Sequence, residues 1–277
     1  MTIKLLKLNR YPILKQLQIE EAIYRSPNSG NWVVINKGTP DPTIIVGVTG
    51  RADKLVHLEE AKKRNIDTIK RFTGGGTVVT DDDTLFITFI FDQEWFKTIY
   101  QAKDYYPRDI MKWSEHFYNN VFNNTNSSNS NHSLAPFSLM EHDYSYGTLK
   151  FGGNAQSFSR LKFIHHTSFL YDFKQDNMSA LLKHPDKEPE YRKNRDHLSF
   201  LCKLKDRFKS QDEIADRVEK QLTQMPKSSI MRDDYHNIDD IKIQQVSIQD
   251  ALQYLDIPHY KSNQIYDHNN LNWKDLE

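Results

Sequence analysis

The chain has 277 residues, 38% of them hydrophobic, and its 37 Lys plus Arg balance 37 Asp plus Glu. That length suits one sizeable domain with a real core and room for a small appendage, while the even charge gives no electrostatic case for nucleic acid or an anionic membrane surface. Cys202 is the single cysteine, which excludes an internal disulfide and a cysteine-held zinc and points to a reducing compartment.

From the N-terminus, Leu5-Leu6-Lys7-Leu8 is expected to be strand and Ile13 to Arg25 an amphipathic helix. Lys4, Lys7, Arg10 and Lys15 without a nearby acid hint at a mitochondrial presequence. The patterning and the lack of Ser- and Arg-rich composition favour a structural start instead, with a cytoplasmic address and a mitochondrial one as the alternative. Thr43 to Val48 is a short β-branched run that fits a buried strand, followed by one or two helical turns over His57 to Arg64. Ile66 to Arg71 leads into Gly74-Gly75-Gly76, then Thr77-Val78-Val79 and an acidic turn, Asp81-Asp82-Asp83. Leu85 to Phe91 is aromatic and β-branched throughout, which predicts a strand covered on both faces.

Ile110, Trp113, Phe117 and Val121 recur at helical spacing. The Asn/Ser-rich stretch that follows, residues 123–133, cannot bury a core and is expected to be a disordered loop. Strands are expected at Phe137–Met140, Asp143–Tyr146, Leu161–Ile164 and Thr167–Tyr171, and a late helix through Ile214, Val218 and Leu222. No apolar run approaches a membrane span. Strands and helices mix without regular alternation, which gives an α+β class with a mixed, mostly antiparallel sheet packed against helices. The domain is expected over residues 1–225, with 226–277 a short surface-wrapping tail rather than a full accessory domain.

Two glycine-rich segments carry the chemistry. In Lys70-Arg71-Phe72-Thr73-Gly74-Gly75-Gly76, three consecutive glycines cost conformational entropy, so a sharp bend or a close approach should require them. Either a tight hairpin with a solvated Arg71 or a ligand-facing backbone, with free N–H groups and Arg71 meeting anionic oxygens, would satisfy that. Lys150-Phe151-Gly152-Gly153-Asn154-Ala155-Gln156 repeats the logic at an expected turn. A lysine there is either a surface side chain or a group that stabilises charge growing during acyl transfer. Adjacent His165 and His166 point to opposite faces if they lie on a strand, so they cannot chelate one metal; one should be buried and the other near a cleft. Cys202, among apolar neighbours, is expected to be a core thiol, and Arg192 to Arg195 with Asp196 and His197 solvated charge.

Arg71-Phe72-Thr73-Gly74-Gly75-Gly76 resembles the Arg-x-(Ser/Thr)-Gly-Gly-Gly element of the lipoate–protein ligase A family. Lys150-x-Gly-Gly-Asn-Ala-Gln resembles that family's lysine element, and His165-His166-Thr167-Ser168-Phe169-Leu170 its His-His-Gly-Thr-Leu-Leu strand. The resemblance runs from about residue 3 to 225. It implies a class II synthetase-like biotin/lipoate ligase catalytic domain that makes an acyl-adenylate from lipoate and ATP with magnesium. The acyl group then passes to a lysine of a lipoyl domain or of glycine-cleavage H protein. In that scheme Lys150 is the catalytic residue, and Arg71, Thr73, Gly74, Gly75, Gly76, Gly152, Gly153, Asn154 and Asp81 bind acyl group or adenylate, with Gln156 a weaker candidate and no resident metal. The chain departs from the pattern at Gly47-Val48-Thr49-Gly50-Arg51, where the family often has Gly-Arg-x-Gln-Asn. It departs again at Thr80-Asp81-Asp82-Asp83-Thr84, where the family has His-Asp-x-Gly-Asn and only Asp81 is kept. Octanoyl transfer from acyl carrier protein, or a degenerate relative that binds without turnover, therefore stay open.

Overall fold

In the computed structural model, residues 2–100, 106–123, 135–184, 188–225, 241–256 and 262–275 are described. Strand β1 (Thr2–Asn9) leads into helix α1 (Ile13–Arg25), whose Ile19, Ala22 and Ile23 pack on Val34 of β2 (Asn31–Lys37). Then come β3 (Thr43–Val46), short helices α2 (Ala52–Leu55) and α3 (Leu58–Lys63), β4 (Asp67–Lys70) and β5 (Val78–Thr80). Strand β6 (Thr84–Asp92) is followed by helices α4 (Gln93–Tyr100) and α5 (Pro107–Phe122), then β7 (Phe137–Met140), β8 (Asp143–Tyr146), β9 (Leu149–Phe158) and β10 (Lys162–Leu170). Helices α6 (Gln175–Leu181), α7 (His197–Phe200) and α8 (Gln211–Gln224) precede β11 (Lys242–Val246), α9 (Ile248–Leu252), β12 (Gln264–Asp267) and β13 (Asn272–Asp275).

The large sheet runs β11-β1-β2-β6-β10-β9-β8-β7 and the small one β13-β12-β4-β3-β5. Among the strands of the described residues, β1 with β11, β1 with β2, and β3 with β4 pair in parallel and the other pairs are antiparallel, so both sheets are mixed and mostly antiparallel, as the irregular strand pattern implied. Strand β6 lies inside the large sheet, antiparallel to both β2 and β10. Its Leu85, Ile87, Phe89 and Phe91 share a core with Trp113, Phe117 and Tyr118 of α5, Phe89 lying 5.0 Å from Trp113 between ring centres. The alternate residues Phe86 and Ile90 pack on the opposite face with Ile13 and Leu17, and with Ile19 and Ile23, of α1. A strand buried on both sides keeps no polar alternation, and each such side chain contributes roughly 1.5–3 kcal/mol.

Three expectations change. Asn31–Lys37 and Gln93–Tyr100 form β2 and α4, which short apolar runs did not announce. Leu161–Ile164 and Thr167–Tyr171 are one strand, β10, with both histidines at its centre. Lys150 to Gln156 lies within strand β9, not at a turn. The glycines disguised it: a Cβ on Gly152 would stand 2.5 Å from Phe169 Cδ1, its cross-strand partner, so the ring occupies the space a side chain would need. Asn123 caps α5, while 124–133 of the Asn/Ser-rich stretch lies outside the described residues. Beyond residue 225, β11 extends the large sheet beside β1, Ala251 packs against α1, and β12 pairs with β4. Among the described residues no helix is long and apolar enough to cross a membrane.

Candidate active site

A cleft of about 800 Å³ opens on the α1 side of the large sheet, within the roughly 300–1,000 Å³ usual for small-molecule sites. Ile13, Leu17, Ile45 and Phe86 give it an apolar wall, and Arg71, Lys150 and Arg192 line it as cations.

The glycine loop closes one side. Arg71 is buried, and its Nη2 donates to the carbonyls of Gly74 (3.2 Å) and Gly76 (2.8 Å), curling the loop around the guanidinium. Burial lowers its pKa to about 10, which leaves it a cation at neutral pH, and its Nε has no hydrogen-bond partner among the described residues. Gly75 has φ +116, and a Cβ there would lie 2.7 Å from Arg71 Nη2 and 2.9 Å from the Asn154 carbonyl oxygen. The Gly74 amide donates to the Gln156 carbonyl at 3.2 Å. The close approach rules out the hairpin with a solvated Arg71: the loop is pressed against β9, its Gly74 amide is taken by Gln156, and Arg71 is buried. Gly76 differs, with nothing within 4 Å of the point where a Cβ would stand, so its backbone faces open space. Thr73 is buried below the loop, its carbonyl accepting from the Val48 amide, and does not line the cleft.

Lys150 faces this loop's cleft from β9. Its Nζ lies 2.7 Å from Asp143 Oδ1, and a Cβ on Gly153 would lie 3.5 Å from that Nζ. Asp143 Oδ2 accepts from the Tyr191 hydroxyl at 3.0 Å, and the Lys150 carbonyl accepts from the Cys202 amide at 2.9 Å. Burial, then the Asp143 charge, raises the Tyr191 phenol above its ordinary range, so it stays a donor. Lys150 is therefore held in a charged, hydrogen-bonded setting rather than waving on a surface. Asn154 donates to the His142 carbonyl and lines the cleft with Gly152, Gly153 and Gln156.

His165 and His166 divide as strand alternation requires. His165 is fully buried, with Tyr144 Oη at 2.9 Å from Nε2 and Gln156 Nε2 at 3.0 Å from Nδ1. Burial brings its pKa down to about 3 from 6.5. The unfolded chain takes up this proton and the folded chain refuses it, so the stabilisation is full above 6.5 and is lost as pH falls from there toward 3. Urea melts should lose up to about 1.4 kcal/mol per pH unit from this site in that window, and His165→Gln should flatten the slope; an unchanged slope would contradict the buried neutral ring. His166 lines the cleft, its Nδ1 3.0 Å from Oε2 of the buried Glu20 on α1. Both Glu20 and Gln16, which donates to it at 2.8 Å, escaped sequence reasoning because they sit inside an otherwise ordinary amphipathic helix.

Two further residues, Asp81 and Arg192, are placed elsewhere than expected, while Cys202 packs against the core as its apolar neighbours imply. Asp81 is not brought to the cleft: it is buried in its own turn, Oδ1 accepting from the Asp83 amide at 3.1 Å. Cys202 is half-buried against the main core, with Sγ 3.5 Å from the Leu149 carbonyl oxygen, and burial pushes the thiol up to about 11. Arg192, expected to be solvated, is buried and lines the cleft. Its guanidinium lies 5.0 Å from the Phe200 ring centre and its Nε 3.3 Å from Glu188 Oε2, while Nη2 has no hydrogen-bond partner among the described residues. Phe200, at the end of α7, supplies the aromatic seat that desolvates the charge; no local pattern announces it. Arg51, which pairs with Asp53 at 2.7 Å, stays outside the cleft.

The model of the lipoyl protein ligase A/B catalytic domain matches residues 12–226. A curated relative from Plasmodium falciparum (isolate 3D7), named inactive lipoate–protein ligase 2, is 30% identical over 241 residues, 71% of this chain and 62% of that protein. The chain thus spans about three fifths of that relative's length. A solved lipoate–protein ligase A bound with ATP superposes with a TM-score of 0.67 at 20% identity, covering 92% of this chain and 93% of that one. A bipartite lipoate protein ligase from Thermoplasma acidophilum, studied with its E2 lipoyl domain, gives 0.66 at 20% identity, covering 92% and 91%. These two likenesses establish a shared fold, and the domain match, which covers most of the chain and both glycine segments, establishes more: the chain belongs to the lipoyl protein ligase A/B catalytic domain family.

Proposed function

We propose that the chain attaches a lipoyl or octanoyl group to a lysine of a lipoyl-domain acceptor, through an acyl-adenylate held by Lys150 and the Gly74–Gly76 loop. One observation carries this reading: the Arg71 loop and Lys150, far apart in sequence, meet in a single cleft that also has an apolar wall of Ile13, Leu17, Ile45 and Phe86. The apolar wall suits an acyl chain, and the cations suit its carboxylate and a phosphate.

In this reading the acyl carboxylate oxygen attacks the α-phosphorus of ATP, an O–P bond forms and pyrophosphate leaves. The acceptor's neutral lysine amine then attacks the acyl carbonyl; the C–N bond forms, the bond to AMP breaks, and the amine's proton passes to solvent. The nucleophile comes from the partner, so the chain supplies position and charge. Lys150 donates to the carbonyl or phosphate oxygens, sharing or leaving Asp143 to do so, and Arg71, Gly152, Gly153 and Asn154 line the same path. ATP and magnesium enter as substrates. Magnesium is usually held by one or two carboxylates together with substrate phosphates. The cleft carboxylates Glu20 and Asp143 are each already beside a cationic or imidazole partner, so no preformed magnesium cage is assigned here. A solved family ligase with an E2 lipoyl domain supports that class of acceptor, with glycine-cleavage H protein a second candidate. Octanoyl transfer through Cys202 has no support, since its thiol is held protonated at neutral pH and does not line the cleft.

A second reading, acyl binding without turnover, is favoured by the relative named inactive and by the departures at Val48, Thr80 and Thr84. Calorimetric titration with octanoate and with an octanoyl-sulfamoyl-adenosine analogue tests what the two readings share: measurable binding supports an acyl cleft, and no binding of either rejects it. Arg192→Gln should weaken the analogue by about 10-fold or more, as loss of a charged hydrogen bond would, and leave octanoate nearly unchanged. Equal effects on both would place Arg192 away from the adenylate.

A further inference from the structure

We infer that the segment Ser262–Ile265, which lies beyond the matched family domain, is a working part of the cleft, with Asn263 as the positioning residue that sets the Arg71–Gly76 loop against α1. The ligand it serves, an apolar chain ending in a carboxylate or phosphate oxygen, rests on the proposed acyl reading; the positioning itself does not.

Asn263 is buried, and both ends of its amide are used. Oδ1 accepts from the Phe72 amide at 3.2 Å, while Nδ2 donates to Glu21 Oε2 at 2.7 Å and to the Leu17 carbonyl at 3.4 Å. One side chain therefore ties the residue next to Arg71 to the turn of α1 that places Leu17 and Glu20 in the cleft. Glu21 is buried as well, and its carboxylate is satisfied largely from the same segment: Ser262 Oγ donates at 2.6 Å and the Ser262 amide at 3.2 Å, with Arg25 at 2.8 Å. A buried carboxylate and a buried amide N–H both need such partners, so the three-way bond is specific in direction and not an interchangeable contact.

The next residues continue the brace. Gln264 pairs with Lys70 and Ile265 with Ile69, so β12 fixes the strand that ends at Lys70, next to Arg71. Ile265 packs on the cluster of Ile13, Leu17, Ile45, Ile69 and Phe86, four of which line the cleft. Backing the apolar wall and anchoring the cationic loop at once, the segment sets the distance between the two features that a carboxylate- or phosphate-tipped acyl chain must reach together.

The full chain is compared with Asn263→Ala, Asn263→Asp, Glu21→Gln and the Glu21→Gln/Asn263→Asp pair. Two readouts are used, hydrogen exchange of peptides spanning 70–77 without ligand, and affinity for octanoyl-sulfamoyl-adenosine. In Asn263→Ala the 70–77 peptides should exchange at least about 10-fold faster while those of β6 and α5 stay unchanged, and the analogue should bind about 10-fold more weakly. The double variant reverses donor and acceptor in the bond between positions 21 and 263: the amide introduced on α1 can donate to the carboxylate introduced on the distal segment, while the longer bond to the Leu17 carbonyl (3.4 Å) is lost. Both readouts should then return to within about 3-fold of the parent. This swapped pair also separates positioning from a general loss of folding. Unchanged exchange in Asn263→Ala, acceleration spread evenly over the whole chain, or additive defects in the pair would overturn the inference. A parent protein that ignores the analogue while Asn263→Ala still loosens the loop would reject the acyl reading and leave the positioning role standing.

Discussion

Lys150→Ala should fold as the parent does and transfer an acyl group to a lipoyl domain at least about 100-fold more slowly, the size of effect seen when a single donor to a developing oxyanion is removed. The folding half of this expectation follows from the geometry. Lys150 touches Asp143 from a partly exposed position, and Asp143 keeps its bond from Tyr191 when the ammonium is gone. The cost in stability should be about 1–2 kcal/mol, between that of an exposed and a buried ion pair. The Lys150 main-chain bond to Cys202 is untouched. Steady-state transfer rates and urea melts on the same preparations separate the two halves. Parent-like transfer in the variant would remove Lys150 from the mechanism; a collapse in stability matching the loss of rate would make it a structural residue.

Gly75→Ala should destabilise the domain by about 2–4 kcal/mol, the sum of left-handed backbone strain and a crowded contact. At φ +116 an alanine is strained whatever the space, and its Cβ would press on Arg71 Nη2 and on the Asn154 carbonyl oxygen of β9. Because Asn154 is held by its pairing with Thr167 of β10, Arg71 is the partner that must move, so affinity for an anionic acyl analogue should fall with the melting temperature. Gly76→Ala is the control. With nothing within 4 Å of its added carbon, the change should stay within about 1 kcal/mol. Equal effects at the two positions would mean that general loop flexibility, and not the approach of Gly75 to Arg71, governs the loop.

What could be read from the residues depended on how local the cause was. The α1 and α5 helices and the doubly covered β6 carry their burial in their own periodicity, so their sequences were sufficient. The glycine loop and Lys150 were recognisable because unusual backbone demands leave unusual residues behind. Strand β9 was misread for the same reason: Gly152 and Gly153 suggest a turn until Phe169 is seen filling the missing side-chain space. Arg192 and Asn263 were illegible. The first is defined by the ring of Phe200, the second by partners on α1 and by Phe72, 191 residues earlier in the chain. Asp81 shows the reverse, since it keeps a family motif position yet its carboxylate is spent inside its own turn.

The central claim is that this cleft moves an acyl group onto a lysine, and intact mass spectrometry of an unmodified lipoyl domain tests it most directly. The purified chain is incubated with that acceptor and, in parallel, with lipoate plus ATP and magnesium, preformed lipoyl-adenylate, or octanoyl-acyl carrier protein. A lipoyl mass shift from the adenylate, extended to lipoate plus ATP if the chain also activates its substrate, and lost in Lys150→Ala, is the result expected here. A shift from the carrier protein alone, or no shift from any donor, would contradict it, the latter leaving a cleft that binds without turnover.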